Sequence, residues 1–151
     1  MKTSSSAQLN QAPVIVAGAS GYLGQHILTE LRERGIPFKA LVRNPAKIKI
    51  PLQPHEIIKA EATKPESLKG VLNEASTIIS TLGITRQKDG LSYQDVDYQG
   101  NLNLLKEAEA AGLKRFIYVS VFNAHQLKGL KIIDAKEAFV KELEASQISS
   151  L

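Results

Sequence analysis

The sequence predicts an α/β fold, a doubly wound parallel sheet of about five strands with flanking helices. Three observations carry that prediction. Apolar runs of strand length alternate with amphipathic stretches of helical period from Pro13 to about Ala145. Turn residues punctuate most of the junctions, and the first strand-to-helix junction, "VIVAGASGYLGQHILTELRERG", is unusually rich in glycine. Strands joined through helices pair in parallel by right-handed crossovers, and the helices then cover a sheet that is apolar on both faces.

In order along the chain, "PVIVAGA" is a continuous, largely β-branched run suited to a strand buried on both sides. From Tyr22 to Arg34, Leu23, Ile27 and Leu31 recur at fourfold spacing beside Gln25, Glu30 and Glu33, an amphipathic helix that Gly35 stops. A second strand, Phe38 to Val42, follows Pro37, and "RNPAKI" reads as a turn entering a short helical stretch with Pro45 at its start. A third strand spans Glu56 to Ala60. Thr63 and Glu66 then stand in capping-box spacing, with Pro65 in the first turn of a helix to about Asn73. "STIISTLG" is the fourth strand. After the polar loop "ITRQKDGL", Ser92 and Asp95 give another capping signal for a long helix to Ala111, closed by Gly112. "RFIYVSV" is the fifth strand, and Asp134 with Glu137 opens a last helix to about Ala145. Residues 1–12 read as a flexible polar tail and 13–151 as one domain, without internal repeat or linker.

Composition narrows the function classes. With 43% hydrophobic and 23% charged residues in 151, the chain has ordinary globular usage. Its net charge of +4 is spread among alternating signs, a poor footprint for nucleic acid. Zero cysteines exclude disulfides, thiol catalysis and thiolate metal sites. The N-terminal residues are polar and Ser-rich, and "VIVAGA" is too short for a secretory core or a membrane span, so the expected location is cytoplasmic, away from membranes.

The glycines supply the first chemical signal. Gly18, Gly21 and Gly24 form G-x-x-G-x-x-G after the first strand and across the start of the first helix, a spacing variant of the dinucleotide fingerprint. Gly18 permits the tight turn, Gly21 lets backbone approach a pyrophosphate, and Gly24 lets the helix lie close to the sheet. Unpaired amides near Ser20, Tyr22 and Leu23, with the helix dipole behind them, attract the anion. A glycine-rich turn without a ligand is the alternative. At the end of the second strand, where an NAD site carries an acid for the ribose hydroxyls, "ALVRNPAK" has Arg43, with Lys47 in local reach. A guanidinium there suits a 2′-phosphate, so NADP(H) is expected ahead of NAD(H); a solvated charged loop is the competing explanation.

The segments "GASGYLGQHIL", "ALVRNPAK", "EATKPESLKGVL", "STIISTLG", "VDYQGNLNLLKEAEAAGLKRFIYVS" and "AKEAFVKELEAS" together resemble, in order, the motifs of the atypical short-chain dehydrogenase/reductase proteins of the NmrA-like, NAD(P)-binding group. The resemblance runs nearly the whole length from Pro13. It implies a Rossmann-type NAD(P)H-binding fold, with Glu61 and Ala62 beside the adenine. It implies further that Thr81, Leu82 and Gly83 pass along the cofactor's middle, that Ser120 matches the family's serine, and that Lys136 stands near the nicotinamide ribose.

Two departures qualify it. Reductases of this superfamily carry an acid-base tyrosine four residues before the lysine; here that position is Ile132, which cannot transfer a proton. Tyr118, read as mid-strand, is expected to be packed core rather than a displaced acid, and neither Tyr93 nor Tyr98 is expected to replace it. The sequence also stops at Leu151, ahead of the sixth strand and substrate-covering region that the resemblance implies. The expectation is a truncated cofactor half whose fifth strand is an unprotected edge, open to pairing with a second copy as a homodimer.

The remaining features are weaker. His26, His55 and His125 are scattered and read as structural or solvated. Asp95 and Asp97 lie near a helix start, where acids favour the dipole. Arg86 and Lys88 sit on a loop that either folds over a ligand or is solvated. Three functions remain open: an NAD(P)H-binding or redox-sensing module without its own chemistry, an atypical oxidoreductase using Ser120, Lys136 or water, and a self-associating scaffold that has lost its ligand. The glycines and Arg43 favour the first over the third, and Ile132 favours it over the second.

Overall fold

A computed structural model describes residues 11–83 and 90–151. Six parallel strands form one sheet in the order β3-β2-β1-β4-β5-β6. They are β1 (Val14–Ala17), β2 (Phe38–Val42), β3 (Ile57–Lys59), β4 (Thr77–Ser80), β5 (Arg115–Tyr118) and β6 (Ser149–Ser150). The helices are α1 (Tyr22–Glu33), the single turn α2 (Pro65–Leu68), α3 (Asn101–Ala111) and α4 (Lys131–Ala145). A π-helical segment, Gln94–Gly100, leads directly into α3.

The unbroken apolar strands are explained by a core on each side of the sheet. Along β1, Ile15 and Ala17 point into a cluster with Leu104, Leu105, Phe116 and Phe139, beneath α3 and α4. Val16, between them, points the other way into a cluster with Leu28 and Leu31 of α1. Successive strand side chains face opposite sides, so a strand covered on both faces must be apolar at every position. The larger core is keyed by Phe139, which is fully buried and meets Phe116 at 5.7 Å and Tyr118 edge-on at 4.7 Å between ring centroids. Truncating such an aromatic to alanine costs about 3 to 5 kcal/mol.

Local chemistry sets the element ends. Ser92 and Asp95 cap reciprocally, the Asp95 amide donating to Ser92 Oγ at 3.1 Å and the Ser92 amide to Asp95 Oδ2 at 2.9 Å. These bonds, the backbone one foremost, hold the Asp95 carboxyl below its ordinary value. Gly112 closes α3 in the left-handed region at φ 72°. The Thr63 capping box does not form: the Thr63 hydroxyl donates to Glu61 instead, and α2 ends after one turn. α4 begins at Lys131, ahead of Asp134, whose carboxylate accepts from the Gly129 amide.

The sixth strand corrects an expectation. After α4 the Ser146 hydroxyl accepts from the Ile148 amide, and the chain turns back beside β5 with Arg115 opposite Ser149 and Phe116 opposite Ser150. The Leu151 amide donates to the Phe116 carbonyl, and the Tyr118 amide to the Leu151 carbonyl at 3.0 Å. The backbone groups of β5 need partners, and this short segment supplies them. The edge of β5 proposed for homodimer pairing is therefore covered. Tyr118 is the last residue of β5 rather than a mid-strand one. Among the described residues no helix is long and apolar enough to cross a membrane.

Candidate functional site

The strand order reverses at β1, whose neighbours are β2 on one side and β4 on the other. The helices that follow these strands leave towards opposite faces, which opens a crevice beyond the strand ends. A cleft of about 390 Å³ lies there.

Its floor is the glycine bend. Gly18 has φ +75°, and a β-carbon on it would stand 2.6 Å from the Thr81 hydroxyl, so only glycine lets β1 turn this close to β4. A β-carbon on Gly24 would collide with the Gly18 carbonyl oxygen and the Ala19 backbone, which is why α1 can begin directly on the bend. The N-cap of α1 is Gly21, with no side chain capping it and no acid in the first turn. The helix thus presents its opening amides, with the positive end of its dipole, to whatever occupies the cleft. Gly18, Ser20 and Gly21 all line it.

Beyond the bend the cleft extends both ways. Towards β2 and β3 it is lined by Arg43, Lys47, Glu61 and Ala62, and towards β4 by Thr81, Leu82 and Gly83. The cations and the acid share one end. Glu61 is half-buried and paired with Lys64 at 3.0 Å, whereas the Arg43 and Lys47 side chains are exposed at the mouth. Asn44 caps the turn that carries Lys47, its Oδ1 accepting from the Ala46 amide at 3.1 Å.

Ten of the fifteen residues singled out from sequence therefore line one cleft. The other five divide. Tyr22 and Leu23 contribute helix-opening backbone, while their side chains are exposed at 85% and 43%. Gly24 is buried beneath the bend. Ser120 lies past the end of β5, exposed and outside the lining. Lys136 reaches the cleft from behind, its ammonium 2.8 Å from where a β-carbon on Gly83 would stand. Arg86 and Lys88 lie outside the described residues.

Sequence reasoning missed the supports. Gln25 donates from Nε2 to the Ser20 carbonyl at 2.9 Å and accepts from the Lys49 amide at 2.7 Å, tying the bend to the segment after Lys47. Asn103, buried, donates to the Ala62 carbonyl at 2.9 Å. Asn101 donates to the Leu82 carbonyl at 3.2 Å and accepts from Ser80 Oγ. The two asparagines of "NLN" thus pin the cleft walls after β3 and β4 to α3. Asp97, expected to serve a helix dipole, is instead fully buried and paired with Lys136 at 2.9 Å, a close ion pair without the alignment of a good hydrogen bond.

Neither Ile132 nor Tyr118 offers a ready proton-transfer group. Ile132 is aliphatic, and Tyr118 is 8% exposed with its hydroxyl unpartnered among the described residues. Burial, reinforced by the charges of Asp97 and Glu137, pushes the Tyr118 phenol far above its ordinary value, so it keeps its proton at neutral pH. Among the described residues no cluster of His, Asp and Glu suits a metal ion.

The family model for NAD(P)H-binding proteins matches residues 18–149, from the glycine bend to the start of β6. The chain belongs to the NAD(P)H-binding family. Among curated relatives, the photosystem II assembly factor Ycf39 of Guillardia theta is 29% identical over 136 residues, covering 89% of this chain and 43% of that protein. The chain thus spans about two-fifths of the length of such relatives. Among solved structures, the NADPH-dependent quinone oxidoreductase QOR2 of Escherichia coli, complexed with NADPH, superposes with a TM-score of 0.69 at 25% identity over 91% of this chain and 46% of that one. The Bordetella bronchiseptica enzyme WbmG, complexed with NAD, superposes with a TM-score of 0.76 at 14% identity, over 91% of this chain and 51% of that one. The NAD(P)H-binding assignment and the parallel α/β architecture are thereby shown.

Proposed function

We propose that this domain binds NADP(H) in preference to NAD(H) and acts as a cofactor-binding or redox-sensing module without a complete active site of its own. The observation that carries the preference is Arg43, which follows β2 directly and lines the adenosine end of the cleft with Lys47 beside it. An acid at that place would repel a 2′-phosphate; a guanidinium donates charge-assisted, paired hydrogen bonds to it. The preference rests on these residues, since the solved structures that resemble this chain include both NADPH-bound and NAD-bound proteins.

In this reading the backbone of Gly18, Ser20, Gly21, Tyr22 and Leu23 holds the diphosphate, Glu61 and Ala62 flank the adenine, and Thr81 to Gly83 carry the chain of the cofactor towards Lys136 and Ser120. The cofactor supplies hydride chemistry when bound; this chain's residues bind it and orient it. The absence of a proton donor at Ile132 separates this module from a self-sufficient reductase. An atypical oxidoreductase is the second reading, favoured by the likeness to QOR2. A scaffold that has lost its ligand is disfavoured by the open, glycine-lined cleft.

Calorimetric titration of NADPH and NADH tests the preference. NADPH should bind roughly tenfold or more tightly, and Arg43→Asp should abolish or reverse that ratio. Equal affinities in the wild type would overturn it. NADPH oxidation with aldehydes and quinones should stay near background, and robust turnover would reinstate the oxidoreductase.

A further inference from the structure

Asp95 and Asp97 lie two residues apart and have opposite fates. Asp95 is exposed and caps Ser92, while Asp97 is 0% exposed. The π-helical segment Gln94–Gly100 carries Asp97 to the inside of the molecule, and wide helical turns of this kind recur at functional sites. A fully buried carboxylate is tolerated only when paired. Its partner is Lys136 of α4, whose Nζ stands 2.9 Å away and whose side chain is 12% exposed. The ammonium also lies over the Tyr118 ring, 5.8 Å from its centroid.

The pair lies against the cleft wall. A β-carbon on Gly83 would stand 2.7 Å from Asp97 Oδ1 and 2.8 Å from Lys136 Nζ. Gly83 lines the cleft at the β4 end, across the glycine bend from Arg43. A dinucleotide whose adenosine half lies by Arg43 and whose diphosphate crosses the bend carries its other half to this wall.

Resting on the dinucleotide reading above, we propose that Asp97 is the positioning residue for Lys136. Its buried carboxylate fixes the otherwise flexible ammonium at Gly83, aimed at the hydroxyls of the nicotinamide half. Lysine has many rotamers to lose, and the carboxylate and the Tyr118 ring remove them before the ligand arrives. The lack of a side chain at Gly83 keeps the wall thin enough for the pair to reach the ligand.

The competing account is a structural bolt between the π-helical segment and α4, and a double-mutant cycle read with two ligands separates them. NADPH and ADP, which lacks the nicotinamide half, are titrated calorimetrically against the wild type, Asp97→Asn, Lys136→Met and the double variant. The double variant removes both charges and leaves neither buried alone. Asp97→Asn and Lys136→Met should each weaken NADPH roughly tenfold while ADP stays within about twofold, and the double variant should bind NADPH no more weakly than Lys136→Met. Unchanged NADPH affinity in Asp97→Asn, an equal loss with and without Lys136, or a parallel loss of ADP would overturn the proposal and leave the dinucleotide reading standing. Failure of the wild type to bind either ligand would overturn that reading and the proposal together. If Asp97→Asn does not fold, Asp97→Glu keeps the charge, moves it by one methylene, and is read by the same outcomes in both backgrounds.

Discussion

Thr81 donates from its hydroxyl to the carbonyls of both Ala17 and Gly18, at 3.1 and 3.2 Å, closing the β1 and β4 ends over the turn where the strand order reverses. Gly18→Ala places a β-carbon against that hydroxyl in a left-handed conformation. It should cost about 1 to 3 kcal/mol in urea denaturation and weaken every nucleotide ligand, because the bend itself moves. Unchanged stability would mean that the turn accommodates a side chain, and its close approach to β4 would not then explain the glycine.

The bridge made by Gln25 predicts a different phenotype. Gln25→Ala releases the Ser20 carbonyl and the Lys49 amide from each other, both at partly exposed positions. Stability should fall by about 1 kcal/mol or less, and NADPH and NADH should weaken by the same factor, since the bend serves the diphosphate common to both. A change in the ratio of the two affinities would show that Gln25 acts on Arg43 and Lys47 instead.

Asn103→Ala should be more damaging than its conservative look suggests. The Ala62 carbonyl loses its donor in a buried setting, which costs about 1 to 3 kcal/mol. The loop after β3 is then released from α3, so adenine-side affinity, measured with ADP, should fall along with stability. Full retention of ADP binding would place the adenine away from Ala62.

Tyr118→Phe is expected to stabilise. The hydroxyl is buried without a partner among the described residues, while the ring contacts with Phe139 survive the change. The pH dependence has a definite sign. The folded phenol's affinity for its proton is raised by burial first, then by Asp97 and Glu137. Its titration leaves stability unaffected below the unfolded value near 10 and lowers it as pH rises beyond, because the unfolded chain gives up the proton first. Thermal denaturation above about pH 10 should therefore fall less steeply in Tyr118→Phe than in the wild type. Parallel slopes would show that the hydroxyl is solvated.

The parts of this architecture written in local pattern were legible in the sequence. The all-apolar β1, the helical period of α1, the Ser92 and Asp95 box and the glycine spacing are each written in contiguous residues, although Leu23 of the fourfold set is exposed and the buried face of α1 is Gly24, Leu28 and Leu31. Ten cleft residues came from that pattern and from family resemblance. What was illegible depends on distant partners. Asp97 reads as a helix-start acid until α4 brings Lys136 to it, and only the π-helical turn, which no periodicity announces, points it inward. Asn101 and Asn103 sit in a helical run where polar residues ordinarily face water, and their carbonyl partners belong to other strand ends. The sixth strand was missed because Ser149 and Ser150 have no apolar alternation; the free groups of β5 define it. Thr63 shows the reverse error, a correct capping spacing overridden by its neighbour Glu61.

The central claim is that the opening amides of α1 and the glycine bend hold a diphosphate, and backbone amide NMR during titration with NADPH addresses it most directly. The account predicts the largest shifts at Ser20, Tyr22 and Leu23, since the Gly21 amide already donates to the Gly18 carbonyl at 3.1 Å, with the same set moving when ADP is added. Saturable binding that leaves those three amides unmoved would contradict it.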